Sequence, residues 1–273
     1  IPESTLKQVL NEWVDGNDIV LVGGIVRDAL LGVSTHDIDF GVKITLPDDL
    51  QKQFEKDVHK YSPIVLNSKY NLEHRAGLVL ENIAARKGFS ELSMRDKKIK
   101  FGNLTLHYAQ PVYVVGGYLI PGSPNRTYTI DHIAIDRNGR IFTPPHRLSL
   151  LHFSEKILDF ALEEGSEHPR IGLRTITHGF LLKHAFGFHF SDATYGYICQ
   201  SLSDQRIQRA QSIVTSSTTQ HIIRQSFNST LERSPDVDAM VDDLRKIHLF
   251  KLWRAMGINV DQIIQEHADS DKI

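Results

Sequence analysis

Leu21-Val22-Gly23-Gly24-Ile25-Val26-Arg27-Asp28-Ala29-Leu30-Leu31-Gly32, followed by His36-Asp37-Ile38-Asp39-Phe40, decides how the rest of the chain is read. Ile19 to Val22 is a β-branched and aliphatic run, the composition of a buried strand. Gly23-Gly24 lets the backbone turn sharply and lie close to a ligand, because no Cβ intervenes. Ile25, Val26, Ala29 and Leu30 then recur at helical spacing, and Gly32 stands where a helix ends. Strand, glycine turn and helix leave backbone N–H groups directed out of the helix start, a geometry suited to phosphate.

Asp37 and Asp39 are two residues apart. On a strand both carboxylates project to one side, while Ile38 and Phe40 turn to the core. Two like charges side by side are costly without a cation between them. An Asp-x-Asp strand beside a glycine cradle therefore points to Mg²⁺ and a nucleoside triphosphate.

The pattern Gly23-Gly24-x-Val26-Arg27-Asp28-x-Leu30-Leu31-Gly32 with Asp37-x-Asp39 resembles a known head-domain signature. It is that of the tRNA nucleotidyltransferases (CCA-adding enzymes) and bacterial poly(A) polymerases, within the polymerase-β-like nucleotidyltransferases. The resemblance implies phosphoryl transfer with two Mg²⁺ ions held by Asp37 and Asp39. AMP or CMP would pass from ATP or CTP to an RNA 3′ end, of a tRNA or another RNA. Gly23, Gly24 and Arg27 would contact the nucleotide. The family's third carboxylate finds its nearest counterpart in Glu91, within Glu91-Leu92-Ser93-Met94-Arg95. A ribose- and phosphate-holding motif is implied at residues 125–131. There Arg126, Tyr128, Thr129 and Ile130 keep the pattern, whereas Asn125, Thr127 and Asp131 stand where Arg, Asp and Asn are expected. Arg126, Thr129 and Asp131 are the nucleotide-binding candidates of this stretch. Glu167-His168-Pro169-Arg170-Ile171-Gly172-Leu173-Arg174 resembles the start of the family's neck helix, which reads the edge of the incoming base. Arg170 and Arg174, one turn apart, would take that role.

The resemblance and the periodicity together predict an α+β chain in two parts. A nucleotidyltransferase head over 1–150 has a mixed sheet flanked by helices, and an all-α neck and body follows over 151–273. Helical spacing predicts helices over 4–13, from 47 to 58 and from about 150 to 162. Strands are predicted at 61–66, 77–80, 90–96, 99–106 and 126–136, with a hairpin turn at 136–140. A further helix opens at 167–174 and ends at Gly187-Phe188. Helices at 195–202, 204–216, 219–229, 236–250 and 259–267 make a small bundle. Its basic side chains Arg206, Arg209, Arg224, Arg245, Lys246, Lys251 and Arg254 are available to an RNA backbone.

Composition bounds the alternatives. The chain has 273 residues, 41% of them hydrophobic and 23% charged, which is ordinary for a globular protein. A formal charge of −2 confines any nucleic-acid surface to a local patch. The single cysteine, Cys199, rules out a disulfide framework or a cysteine zinc site and fits a reducing, cytoplasmic setting. The chain begins at Ile1, which leaves a removed leader and an organelle open. No apolar run is long enough for a membrane span. There is no Gly-Lys-Ser/Thr for a P-loop and no Gly-x-Gly-x-x-Gly. The 14 histidines include no His-Glu-x-x-His. Two further readings stand beside the first. One is a nucleotidyltransferase with a different acceptor, a protein or another small RNA. The other is a homologue that binds RNA or nucleotide without turnover. The departures at 125–131 favour these two, and intact Asp37 and Asp39 favour catalysis.

Overall fold

The stretch that opened the reading forms a strand, β1 (Ile19–Val22), and a short helix, α1 (Gly24–Leu30), separated by Gly23. The computed structural model describes residues 19–33, 39–87, 91–93, 98–101, 104–107, 112–121, 128–146, 148–160, 173–204, 207 and 216–270. The predicted helix over 4–13 lies outside them, as does most of that over 204–216. The described residues fall into two compact units, one up to Glu155 and one from Lys156 onward.

In the first unit, β2 (Phe40–Ile44) returns antiparallel to β1, with Leu21 opposite Phe40. Three helices follow: α2 (Asp48–Asp57), α3 (Pro63–Tyr70) and α4 (Leu72–Lys87). The predicted strand at 61–66 is instead the start of α3. Ser62 caps it by accepting from the Val65 amide, and Pro63 is preset for the first helical position, which outweighs the β-branched content. The predicted strand at 77–80 lies inside α4. Leu72, Ala76, Leu80 and Ile83 recur every three or four residues and are all buried, a period that a four-residue window does not reveal.

Strands β3 (Glu91–Ser93), β4 (Lys98–Phe101) and β5 (Leu104–His107) form a separate antiparallel three-stranded sheet. The run at 99–106 is thus two strands of a hairpin rather than one. Next come β6 (Val112–Val115) and β7 (Tyr118–Pro121). Gly116 and Gly117 join them with φ of 58° and 87°, the two positive values that a two-residue hairpin of this twist requires. A short 3₁₀ turn (Thr129–Asp131) takes the place of the strand expected at 126–136. It leads to β8 (Ala134–Ile135) and β9 (Ile141–Phe142), joined by the expected hairpin. The Asp136 carboxylate accepts from the Asn138 and Arg140 amides and closes that turn.

The six-stranded sheet runs β7-β6-β2-β1-β8-β9, with only β2 and β6 parallel. Ile19, Leu21, Phe40, Val42, Tyr113 and Ile120 face the side covered by α2, α3 and α4. Burying each such side chain contributes roughly 1.5–3 kcal/mol. Val20, Val22, Val114, Leu119, Ala134 and Phe142 form a smaller cluster on the other face. The sheet curls over this cluster until its outer strands meet, and the Leu119 amide donates to Thr143 O just beyond β9. Between β1 and β6 there is no room at Gly41 of β2, where a Cβ would stand 2.8 Å from the Val112 carbonyl oxygen.

Helix α5 (Leu148–Ser154) closes the first unit. The helix predicted to reach 162 ends here because Lys156 takes a left-handed φ of 56° and the chain becomes strand β10 (Ile157–Leu158). In the second unit, α6 (Leu173–Phe186) is followed by β11 (His189–Phe190), which pairs parallel to β10. Gly187, at φ 72°, ends α6 where a glycine was expected to. Then come α7 (Asp192–Ser201), α8 (Ser217–Arg233), α9 (Val237–Lys246), α10 (Leu249–Ala255) and α11 (Val260–Ser270). The helix predicted over 236–250 is two, because His248 sits in the left-handed region at φ 65° and breaks it. Phe227, Phe250 and Trp253 stack edge-to-face or tilted at the centre of this unit. The chain is α+β, as expected. No helix among the described residues is long and apolar enough to cross a membrane.

Candidate active site

Gly23 is the hinge of the candidate site. Its φ of 73° and ψ of −136° belong to a region that L side chains rarely enter. The turn is tied down from several directions. Gly23 N–H donates to Ile133 O, its carbonyl accepts from the amides of Val26 and Arg27, and Val22 N–H donates to Asp39 O. Among the described residues the Gly24 and Ile25 amides, at the start of α1, make no bond to a backbone carbonyl, as the first amides of a helix do not.

Two groups border Gly23 closely. A Cβ there would stand 3.9 Å from Asp39 Oδ2 and 4.0 Å from Asp131 O. The Asp39 carboxylate therefore lies beside Gly23, held by the β1–β2 register that begins at the next residue. Asp37, its expected companion, lies outside the described residues. Among the described residues no three His, Cys, Asp or Glu side chains gather closely enough to hold a metal ion. The donor that is placed is a carboxylate oxygen, the type a hard cation such as Mg²⁺ takes, so Asp39 fits that ion as one ligand of a set.

Beneath the turn lies a buried charge cluster. The Arg27 guanidinium donates to Asp28 Oδ1 from Nε at 2.9 Å and from Nη2 at 2.6 Å. Its Nη1 donates to Asp131 Oδ1, across 104 residues of chain. Both Arg27 and Asp28 are only 6% exposed. Burial opposes the guanidinium's charge, and Asp131 and Asp28 more than offset it, so its pKa is raised. Gly24 adjoins this cluster, and a Cβ there would stand in ordinary contact with Arg27 Nη2, at 3.4 Å. The pair pins the 3₁₀ turn to α1 and thereby fixes the carbonyl of Asp131 at Gly23.

The rest of the 3₁₀ turn is equally engaged. The Thr129 hydroxyl and His152 Nδ1 of α5 are 2.7 Å apart. Tyr128 is fully buried, and burial, reinforced by the charge of Asp131, holds its hydroxyl well above the ordinary tyrosine range. Burial pushes His132 down to about 4, against the opposing charge of Asp131, so its imidazole is neutral at pH 7.

Of the residues singled out from the sequence, Gly23, Gly24, Arg27, Asp39 and Asp131 thus come together at one turn, with Thr129 beside them. The polar atoms of Arg27, Thr129 and Asp131 are engaged by protein side chains. Glu91 lies on β3, in the three-stranded sheet and not in the sheet that begins after Asp39. Arg126 and Arg170 lie outside the described residues. Arg174 occupies the first turn of α6, in the second unit, and its side chain is not among those described. Asp28 belongs to the signature but carries no role that the sequence assigns, and nothing local marks His152.

Residues 19–99 match the poly A polymerase head domain family. Solved structures share the fold. A Thermotoga maritima CCA-adding enzyme complexed with tRNA aligns over 92% of this chain and 53% of its own, at 15% identity and a TM-score of 0.55. A Bacillus stearothermophilus CCA-adding enzyme in complex with CTP aligns over 90% and 52%, at 15% identity and a TM-score of 0.52. A tRNA-processing enzyme with CTP aligns over 86% and 54%, at 18% identity and a TM-score of 0.51. The chain spans about half the length of each of these structures. Residues 19–99 are thus similar to the poly A polymerase head-domain family, and the chain shares the fold of the CCA-adding enzymes.

Proposed function

We propose that the chain is a nucleotidyltransferase that moves AMP or CMP from a nucleoside triphosphate onto the 3′ hydroxyl of an RNA, a tRNA being the first acceptor to test. The observation that carries this reading is the Asp39 carboxylate lying beside the glycine turn, in a stretch that matches the poly A polymerase head domain. The solved relatives named above are complexed with tRNA or CTP, which supports an RNA and a nucleotide as partners.

In this reading the Gly24 and Ile25 amides donate to phosphate oxygens of the triphosphate. Asp39, with Asp37, would hold Mg²⁺. That ion, when bound, offsets the charge of the triphosphate and of the departing pyrophosphate and acidifies the RNA hydroxyl. The bond formed joins the RNA 3′ oxygen to the α-phosphorus, the bond broken joins that phosphorus to the pyrophosphate oxygen, and the hydroxyl proton leaves to solvent. The chain's own contribution is positioning. Arg27 and Asp131 hold the 3₁₀ turn against Gly23, and His152 holds Thr129. Arg126 is the candidate cation for phosphate, and Arg170 and Arg174 are the candidates for the base edge.

The test is incubation with Mg²⁺, each labelled nucleoside triphosphate in turn and total RNA, beside an Asp37→Ala/Asp39→Ala chain. Label entering RNA from ATP or CTP, and absent with the double variant, supports the proposal. Label on protein identifies a different acceptor. RNA or nucleotide bound without any incorporation replaces the reading with that of a binding protein.

A further inference from the structure

The second unit contains a polar groove where a packed helix pair would ordinarily present apolar side chains. Helices α6 and α8 pack together, and between them lies a cavity of about 290 Å³. Leu181 of α6 forms its apolar floor. Gln225, Ser226, Ser229 and Arg233 of α8 line it, with Thr230 beside them and His178 of α6 opposite. Positions 225, 229 and 233 are successive turns of one helical face, so these groups form a row along the groove. Among the described residues no carboxylate lines it.

Arg233 sets this groove apart. Among the described residues it is the one arginine side chain with no ion pair, hydrogen bond or ring contact. Arg27, Arg224, Arg245 and Arg254 pair with carboxylates. Arg75 donates to Tyr70 O, Arg140 lies over the Phe142 ring, and Arg137 is also engaged. The side chains of Gln225, Ser226 and Ser229 are likewise without a partner among the described residues. Thr230 by contrast spends its hydroxyl on Ser226 O, 2.8 Å away. A half-buried cation, two hydroxyls and an amide, all unengaged and aligned, form a set of hydrogen-bond donors for an anion.

The charge and size of the groove select the anion. One guanidinium matches the single charge of a phosphodiester, whereas a triphosphate carries several charges and calls for several cations. At about 290 Å³ the cavity is at the small end of the range that encloses a whole ligand. It suits one group of a longer chain. We infer that the α6–α8 groove holds a backbone phosphodiester of the RNA acceptor, with Arg233 as its cation and Ser226, Ser229 and Gln225 as further donors. This rests on the reading of RNA as acceptor and adds where the strand is gripped.

The inference is tested on the full chain by anisotropy of a fluorescein-labelled oligoadenylate and of a labelled tRNA over a salt series, with CTP affinity measured separately. Removing the cation in Arg233→Gln weakens RNA binding about fivefold, in line with a charge-assisted contact that solvent partly screens. It also makes the slope of log affinity against log salt shallower by about 0.7 on the single strand. Ser229→Lys, which adds a cation at an open position, does the reverse and steepens that slope. This second variant keeps the test decisive should Arg233→Gln fold poorly. Unchanged RNA binding and slopes in both variants overturn the inference, as does a loss confined to CTP, which would make this a nucleotide site. Wild-type chain that binds no RNA overturns it too. RNA bound through Arg233 without nucleotide incorporation leaves the groove standing and removes the transferase reading. Incorporation that is intact while Arg233→Gln leaves RNA binding unmoved does the opposite.

Discussion

Charges in the two units are used in opposite ways. In the head, Arg27, Asp28 and Asp131 are buried together, and the bond that matters joins residues 104 apart in sequence. In the helical unit three pairs are between near neighbours at the surface, Arg245 with Asp242, Lys246 with Asp243 and Arg254 with Asp261, while Lys183 with Asp243 and Arg224 with Glu266 join separate helices and stay partly open to solvent. A buried pair that loses one member strands a charge in low dielectric, while an exposed pair hands its charge back to water. The head therefore invests charge in geometry at Gly23, and the helical unit keeps most of its charge in mutually satisfied surface pairs. Among the described arginines of that unit, Arg233 is the unengaged one.

The sharpest way to break this contrast is a matched pair of substitutions. Arg27→Ala, which leaves Asp28 and Asp131 unpaired and buried, lowers stability by about 3–5 kcal/mol. Arg254→Ala costs less than about 1 kcal/mol. Urea denaturation measures both, and equal losses would erase the distinction. The next largest effect is a pH dependence of the head. His132 has a pKa of about 4 when folded against 6.5 ordinarily, so the unfolded chain binds the proton first. Its contribution is complete above pH 6.5 and drains away as pH falls toward 4, by about 3 kcal/mol in all. A His132→Gln chain should lose stability in that window much less steeply than the wild type in the same melts. Matching profiles would place His132 in water. Two glycines give smaller effects of opposite sign. Gly23→Ala forces an L side chain into φ 73°, ψ −136° and costs about 1–3 kcal/mol. Gly196 lies exposed inside α7, with open space where a Cβ would stand, and Gly196→Ala stabilises by about 0.5–1 kcal/mol. Thermal melts of the two variants that shift in the same direction would contradict the account.

The same contrast explains what could be read from the sequence. The strand–glycine–helix unit was legible because its signals are local: β-branched residues, two glycines and a helical repeat within one short run. So were the hairpin at 136–140 and the end of α6 at Gly187. At 61–66 and 77–80 the local pattern is that of strands although both stretches are helical, because short windows of β-branched or apolar residues hide a Ser62-Pro63 cap and a helical period that emerges only over the whole of α4. At the site, Gly23, Gly24 and Asp39 could be named because they belong to one continuous motif. That Arg27 and Asp131 would meet each other, and Thr129 would meet His152, depended on how the 3₁₀ turn packs against α1 and α5. No spacing in the chain encodes those meetings. The basic residues 224, 245, 246 and 254 stood out by charge alone, yet each is paired with a carboxylate. Arg233 was passed over because what distinguishes it is the lack of a partner among the described residues.

The most direct test of the central claim is nucleotide incorporation by an Asp39→Asn chain, which keeps the shape of the side chain and removes its charge. RNA binding and thermal melting are followed on the same preparation. The account predicts that transfer from ATP or CTP falls by about a thousandfold or more, as expected when charge stabilisation of several kcal/mol is lost, while folding and RNA binding persist. Transfer at the wild-type rate would contradict it and move the chemistry away from the glycine turn.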